Sequence, residues 1–246
     1  MSTPAANLGF ERPRRTRQRR QCWLGAGKTK TGKTRFGLTF PGPIAVLSFD
    51  RAIEDVLHEV PEADVVVKDF TRSFKLGEPM TQAQAQAVEA EFAKAYLGAL
   101  EHKDIRTVMI DKGTTLWEIM RYAEWGKIDH VKAHHYVGVN SRMRRYLLAF
   151  QDSTKNVYIV DDVKEEWDDN GKPTGQFKRE GFKHTPGLVQ VCASFERVEK
   201  GKDFFMTLEE CALNSSLIGW KFEGPEIDFR QIAGMVMTDS VAEDWK

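Results

Sequence analysis

Along the chain, short apolar runs rich in β-branched residues alternate with longer stretches in which apolar residues recur every three or four positions. Continuous apolar runs suit strands buried on both faces, and the longer periodic stretches suit helices laid over them. The pattern therefore predicts an α/β fold: a mainly parallel sheet flanked by helices. Strands are expected at 21–25, 44–49, 106–110 and 156–160, with a short buried strand at 65–67. Helices are expected at 33–40, 52–59, 81–101, 114–124 and 141–150, the third carrying Val88, Phe92, Leu97 and Leu100 on its apolar side. Pro41-Gly42-Pro43 stops the first helix ahead of the second strand.

Two segments depart from this rhythm. Residues 126–140 are polar, aromatic and basic without a clean period, which reads as a loop or a broken helix. Residues 164–185 form a long polar stretch with turn signals at Asn170-Gly171 and Thr174-Gly175, and long loops in compact domains are usually functional. Residues 189–199 and 203–210, flanking Lys200-Gly201-Lys202, read as a β-hairpin near the C-terminus. The expected organisation is a basic arm at 1–20, one α/β domain at 21–235 and a polar tail at 236–246.

The formal net charge of zero hides an asymmetry, because residues 1–20 hold six arginines against one acid and leave a −5 body behind a +5 arm. Two readings of the arm stand open. Arg12, Arg14, Arg15, Arg17, Arg19 and Arg20 could grip a polyanion in a salt-sensitive way, or form a solvated tail. Cys22, Cys192 and Cys211 are widely spaced and fit neither a disulfide framework nor a zinc site. The first twenty residues lack the apolar core of a signal peptide, and no apolar run approaches the roughly 18 residues a membrane helix needs. A soluble cytoplasmic protein with no membrane association is the expectation.

The strongest chemistry lies at Gly27, Lys28, Thr29, Lys30, Thr31, Gly32, Lys33 and Thr34, which match G-x-x-x-x-G-K-[ST] between an apolar strand and a helix. Such a loop turns its backbone N–H groups onto phosphate oxygens. Lys33 is placed to reach the β- and γ-phosphates, and the Thr34 hydroxyl to meet Mg²⁺, so ATP and Mg²⁺ are the expected ligands. Lys28 and Lys30 either strengthen triphosphate binding or face solvent.

A triphosphate-bound metal also needs an acid at the end of a neighbouring strand, and Asp111 closes Thr107-Val108-Met109-Ile110. Its alternative role is to cap the next helix. Asp50, at the end of the strand after the loop's helix, is the candidate to orient the attacking water, with a helix cap again the alternative. Glu118 is a weaker alternative, placed to face away.

The sequence resembles the RecA-like P-loop ATPases over roughly residues 21–235, and within them the phage-encoded AAA/RecA-like ATPases of single-strand annealing and recombination. The resemblance rests on the loop at Gly27 to Thr34, on Pro41-Gly42-Pro43-Ile44-Ala45-Val46-Leu47-Ser48-Phe49-Asp50, on Val108-Met109-Ile110-Asp111 with Leu116-Trp117-Glu118, and on Tyr136-Val137-Gly138-Val139-Asn140. It implies a DNA-stimulated ATPase that assembles as a ring or filament on single-stranded DNA in recombination or replication, alongside a single-strand-binding protein. It places water activation at Asp50 and DNA-binding loops at 126–140 and 164–185.

Those loops offer His130, Lys132, His134, His135, Tyr136, Arg142, Arg144 and Arg145 in the first, and Lys172, Lys178, Arg179, Phe182 and Lys183 in the second. Metal binding by the histidines lacks a third ligand at firm spacing. With the arm's Arg14 and Arg15, the expected DNA contacts are Lys132, Tyr136, Arg142 and Lys183. Lys164, Lys178 and Arg179 are candidates for a cationic finger acting across a subunit interface. Three departures from the family pattern matter: Lys112 could pair with Asp111, and Asp161 with Asp162 would repel a triphosphate unless a cation such as Lys164 compensates. They leave a nucleotide-gated scaffold with negligible hydrolysis as the alternative function.

Overall fold

Six parallel strands form the centre of the molecule, and the four innermost apolar runs are buried along almost their whole length. The computed structural model describes residues 19–73, 79–127, 131–198, 203–240 and 242–245. Its strands are β1 (Cys22–Gly27), β2 (Ile44–Ser48), β3 (Val65–Asp69), β4 (Thr107–Asp111), β5 (Asn156–Asp161), β6 (Val163–Trp167), β7 (Pro173–Arg179), β8 (Val191–Arg197), β9 (Phe204–Cys211) and β10 (Lys221–Glu223). Its α-helices are α1 (Lys33–Gly37), α2 (Ala52–Val56), α3 (Gln82–Glu101), α4 (Gly113–Trp125), α5 (Tyr136–Ala149) and α6 (Phe229–Val236).

The main sheet runs β10-β9-β8-β1-β5-β4-β2-β3, parallel from β8 to β3, with β9 and β10 added antiparallel at one edge. This is the α/β architecture the apolar pattern predicts, including the C-terminal hairpin of β8 and β9.

Alternation along each strand feeds two cores. Cys22, Leu24, Ala45, Leu47, Val108, Ile110, Val157 and Ile159 point to the side covered by α3, α4 and α5, where Phe92, Leu116 and Met143 pack on them. Trp23, Ile44, Val46, Met109, Tyr158 and Val160 point to the other side and meet Phe36, Phe40, Ile232 and Trp245. Aromatic rings dominate that second core: Phe40 and Phe229 stack with centroids 3.7 Å apart, and Trp245 meets Phe229 edge-on at 5.7 Å. Helix α3 starts at a capping box, in which Thr81 Oγ1 accepts from the Gln84 N–H while the Gln84 side chain accepts from the Thr81 N–H.

Several expectations are corrected. The helix after the loop ends at Gly37, short of Phe40, because Thr39 donates its hydroxyl back to the Phe36 carbonyl and accepts the Phe229 N–H, which favours a turn. β3 lies at the sheet edge with Val66 and Val67 exposed, so it is not a buried strand. Leu97 is exposed, and Tyr96 takes its place on the apolar face of α3. Of the two readings of 126–140, a loop or a broken helix, the second fits: a short helical turn at Ala133–His135 leads into α5 at Tyr136, ahead of the helix start expected at 141.

The loop expected at 164–185 is instead a separate antiparallel hairpin of β6 and β7 turning at Gly171, and Gly175 lies within β7. Its exposed alternation is too polar to read as strand from hydrophobicity alone. The tail beyond 236 is not merely polar, since Met237 and Trp245 are buried in the second core. The turn at Lys200-Gly201-Lys202 and the position of His130 lie outside the described residues, as do Arg12, Arg14, Arg15 and Arg17. Among the described residues, no helix is long and apolar enough to cross a membrane.

Candidate phosphate-loop site

The parallel strands deliver their last residues to one edge of the sheet. Register places Ser48 beside Asp111 and Ala26 beside Asp161, so the loop after β1 meets the acids that end β4 and β5. In this order β5 stands between the loop strand β1 and the acid strand β4.

The loop from Gly27 to Thr34 is shaped by two glycines. Gly32 has φ of +90°, a left-handed conformation that glycine adopts without strain, and a Cβ on Gly27 would stand 2.4 Å from the Phe195 carbonyl oxygen. Lys33 folds back under the loop and donates from Nζ to the carbonyls of Gly27 at 2.6 Å and Lys28 at 2.7 Å, with Asp162 Oδ1 at 3.4 Å. Burial pushes its pKa down, and Asp162 resists that push. Helix α1 spans five residues, so its dipole is smaller than a full helix supplies, and anion affinity here rests on the loop N–H groups and Lys33.

Asp111 is 1% exposed. The Thr34 hydroxyl donates to its Oδ1 at a long 3.4 Å, and its Oδ2 is buried with no hydrogen-bond partner among the described residues. Burial, reinforced by the charge of Asp50, pushes its carboxyl up to about 7, while Thr34, Lys112 and Lys33 pull the other way. A buried carboxylate oxygen lacking a donor, beside a threonine hydroxyl at a phosphate loop, fits a hard divalent cation that takes oxygen ligands. Thr34 and Asp111 are thus the residues suited to Mg²⁺. The cap role weighed for Asp111 is not what the helix uses, since the residue at the start of α4 is Lys112 and no side chain caps it.

Lys112 does not pair with Asp111, contrary to the expectation from sequence. It reaches across the edge and bridges Asp50 Oδ2 at 3.4 Å and Asp162 Oδ2 at 3.2 Å. Burial works against its ammonium, but the two acids outweigh burial and hold its pKa above the ordinary lysine value. Residue 112 takes this direction from a left-handed backbone, φ +71°. Lys30 at +64° and Arg51 at +60° share that conformation, so every described non-glycine residue with positive φ adjoins the loop, Asp50 or Asp111.

The two acids ending β5 are each offset by a cation, though not by Lys164. Arg179 pairs with Asp161 and also donates to the carbonyls of Glu180 at 3.0 Å and Phe182 at 2.8 Å. Burial still raises the Asp161 carboxyl to about 6 despite that partner. Asp162 faces Lys33 and Lys112.

Arg179 is therefore turned into its own chain and cannot serve a neighbouring subunit without breaking a buried pair. Lys164 pairs with Glu180 at 3.3 Å and Lys178 with Glu166 at 2.9 Å, both on the exposed hairpin.

The candidate DNA residues divide in the same way. Arg142 is clasped by Glu89 at 2.8 Å and Glu124 at 2.7 Å, which neutralises it in place. Phe182 is buried against Trp117 with centroids 5.0 Å apart, and Tyr136 packs edge-on to Trp125 at 4.6 Å. Lys132 and Lys183 are exposed. Missed from sequence were Trp167 and Phe177, 64% and 43% exposed on the hairpin, with the Lys28 ammonium 3.7 Å from the centre of the Phe177 ring. Two aromatic residues, Trp167 and Phe177, set among Lys164, Lys172 and Lys178 in an otherwise polar stretch were the available signal.

Two hollows flank the loop. A groove of about 770 Å³ lies between its outer face, β8 and the hairpin, and includes Lys28, Phe177, Arg179 and Phe195. A smaller hollow of about 250 Å³ lies on the other flank, lined by Thr31, Gly32, Arg35, Phe204, Pro225 and Ile227 among others. Its ring and apolar walls, well apart in sequence from the loop, were also missed.

A parallel sheet with a glycine-bounded loop and acids converging at its carboxyl edge defines a P-loop nucleotide-binding protein. The chain belongs to the AAA domain family, whose sequence profile matches residues 19–190. Membership makes it an ATP-binding P-loop domain of a family that generally uses ATP with Mg²⁺. No curated protein matches the chain.

Proposed function

We propose that the chain is a Mg²⁺-dependent ATPase whose nucleotide state controls a hold on single-stranded DNA, in recombination, annealing or replication of the phage type. ATP lies with its phosphates on the loop N–H groups and its base in the hollow between Phe204, Pro225 and Ile227. Thr34 and Asp111 would hold Mg²⁺, which when bound offsets phosphate charge. Lys33 leaves its two loop carbonyls for the β- and γ-phosphates. Asp50 positions the attacking water and receives its proton.

The observation that supports coupling is the contact between Lys28 of the loop and Phe177 of the hairpin. Phosphates arriving on the loop compete for the Lys28 ammonium and release the ring. Phe177 and Trp167 offer exposed stacking surface beside Lys172, and Lys164 and Lys178 would exchange Glu180 and Glu166 for phosphates, the chemistry that holds single strands. Lys132, Lys183, Arg14 and Arg15 are further candidate contacts. Assembly into a ring or filament would place Lys164 or Lys178 against a neighbour's γ-phosphate. The setting is the cytoplasm, that of the host for a phage-encoded chain, with a single-strand-binding protein as a companion.

ATP turnover with and without oligothymidylate tests this reading for wild type, Lys33→Ala and Phe177→Ala. DNA-stimulated turnover is expected in wild type, none in Lys33→Ala, and unstimulated turnover in Phe177→Ala. Stimulation that survives Phe177→Ala removes the coupling. The second reading, a nucleotide-gated scaffold with negligible hydrolysis, is favoured by the Lys112 bridge that occupies Asp50. Tight ATP binding without turnover, with or without DNA, would decide for it.

A further inference from the structure

A second ammonium stands at the phosphate site besides that of Lys33, and it comes from the position directly after the buried acid of β4. The Phe49 N–H donates to the Asp111 carbonyl at 3.2 Å, so Asp50 and Lys112 leave the sheet side by side. Lys112 has φ of +71°, an unfavourable conformation for a lysine, and α4 fixes it there. Its carbonyl accepts the Leu116 N–H at 3.1 Å, and the next residue is Gly113, where a Cβ would stand 2.7 Å from Asp161 Oδ1. Thr114 Oγ1 accepts the Asp162 N–H at 2.9 Å, which ties the acid that faces Lys112 to the same helix.

Lys33 and Lys112 share that acid. Asp162 Oδ1 is 3.4 Å from the Lys33 ammonium and Asp162 Oδ2 is 3.2 Å from the Lys112 ammonium, so one carboxylate joins the two cations. A lysine at the place of Lys33 meets the β- and γ-phosphates in such a loop, which brings Lys112 within reach of the terminal phosphate. Its other partner, Asp50 Oδ2 at 3.4 Å, puts it beside the group assigned to the attacking water. An ammonium has three N–H donors, and among the described residues these two carboxylates take one each at long distances, so the third can meet a phosphate oxygen. The hairpin lysines lack this placement, since Lys164 and Lys178 are held by Glu180 and Glu166 on the exposed hairpin.

We propose that Lys112 is a further catalytic residue, contacting a γ-phosphate oxygen of ATP from within the same chain. The inference rests on the reading of the loop as an ATP site. As water attacks the γ-phosphorus and the bond to the β–γ bridging oxygen breaks, one water proton passes to Asp50 and the other stays on the released phosphate. Lys112 keeps its own proton and offsets the charge on the transferring group with a donor already in place. ADP has no γ-phosphate, so the contact distinguishes substrate from product.

Titration calorimetry of the full-length chain with ATP and with ADP, each with magnesium, reads this contact separately from turnover. Lys112→Met is expected to weaken ATP binding about tenfold and ADP binding by less than about twofold, and to lower turnover about 10²–10³-fold. Lys112→Arg should keep the preference for ATP. Because Lys112 also pairs with Asp50, the same substitution is made in Asp50→Asn, where the loss for ATP should persist. Equal ATP affinity in Asp50→Asn and in the double variant would overturn the proposal, by showing that Lys112 acts only through Asp50. Equal losses for ATP and ADP would also overturn it, as the mark of a general charge or folding effect. Should Lys112→Met melt early, Lys112→Gly removes the ammonium at a left-handed position that suits glycine, and carries the same outcomes. Wild type that binds neither nucleotide would overturn the ATP reading and this inference together. Wild type that binds both, with the ATP preference intact in Lys112→Met, would overturn this inference alone.

Discussion

Thr34 and Asp111 meet at the carboxyl edge of the sheet, the hydroxyl 3.4 Å from one carboxylate oxygen while the other oxygen has no hydrogen-bond partner among the described residues. An acid held this way is a poor structural element and a good cation ligand. Replacing it by the isosteric amide separates the two roles. Asp111→Asn should abolish Mg²⁺-dependent turnover, yet stabilise the nucleotide-free chain by on the order of 1 kcal/mol at neutral pH, because it removes an under-satisfied buried charge. Calorimetric melting and a turnover assay check both. A clear loss of stability would show that Asp111 supports the fold.

In the proposed mechanism Asp50 positions the attacking water, and the Lys112 ammonium stands 3.4 Å from its Oδ2. Asp50→Asn keeps the shape and loses the base. Turnover should fall about 10²–10⁴-fold while ATP affinity stays within a few-fold. Comparable losses in both would assign Asp50 to binding.

Asp161 gives a pH test. Burial raises its folded pKa from 3.8 to about 6 against the pull of Arg179. The folded chain then keeps a proton that the unfolded chain has released, so this stabilisation is complete below 3.8 and is lost as pH rises through about 6. Asp161→Asn is neutral throughout and lacks that loss. Its melting temperature relative to wild type should therefore climb between 3.8 and about 6 and level off above. A relative fall over that range would mean that the Arg179 pair favours the carboxylate.

Trp245 lies in the second core, 1% exposed and edge-on to Phe229. Trp245→Ala should cost about 3–5 kcal/mol, read from denaturant unfolding. A change under about 1 kcal/mol would show that the C-terminal segment is not part of the core.

Much of this was legible in the sequence. The buried runs around Val46, Met109 and Ile159 show their strand nature because both faces are covered, and the glycine-bounded loop shows its function because few other uses need Gly27, Gly32, Lys33 and Thr34 at that spacing. The hairpin at β6 and β7 was not legible, since exposed strands such as Pro173–Arg179 carry no hydrophobic alternation. Nor were the inward turns of Arg142 and Arg179. A basic residue in a polar stretch looks available until its partners, Glu89 with Glu124 and Asp161, are brought near by tertiary folding. Lys112 shows the same limit: its sequence neighbour is Asp111, but a left-handed backbone directs it to Asp50 and Asp162.

Titration calorimetry of ATP with magnesium into wild type and Lys33→Ala tests the central claim, that the loop from Gly27 to Thr34 holds a triphosphate. Wild type should take up ATP, and the variant should show affinity weakened at least about tenfold, since a charge-assisted contact to phosphate is worth about 1.5–3 kcal/mol. No heat in wild type, or equal affinity in both, would contradict it.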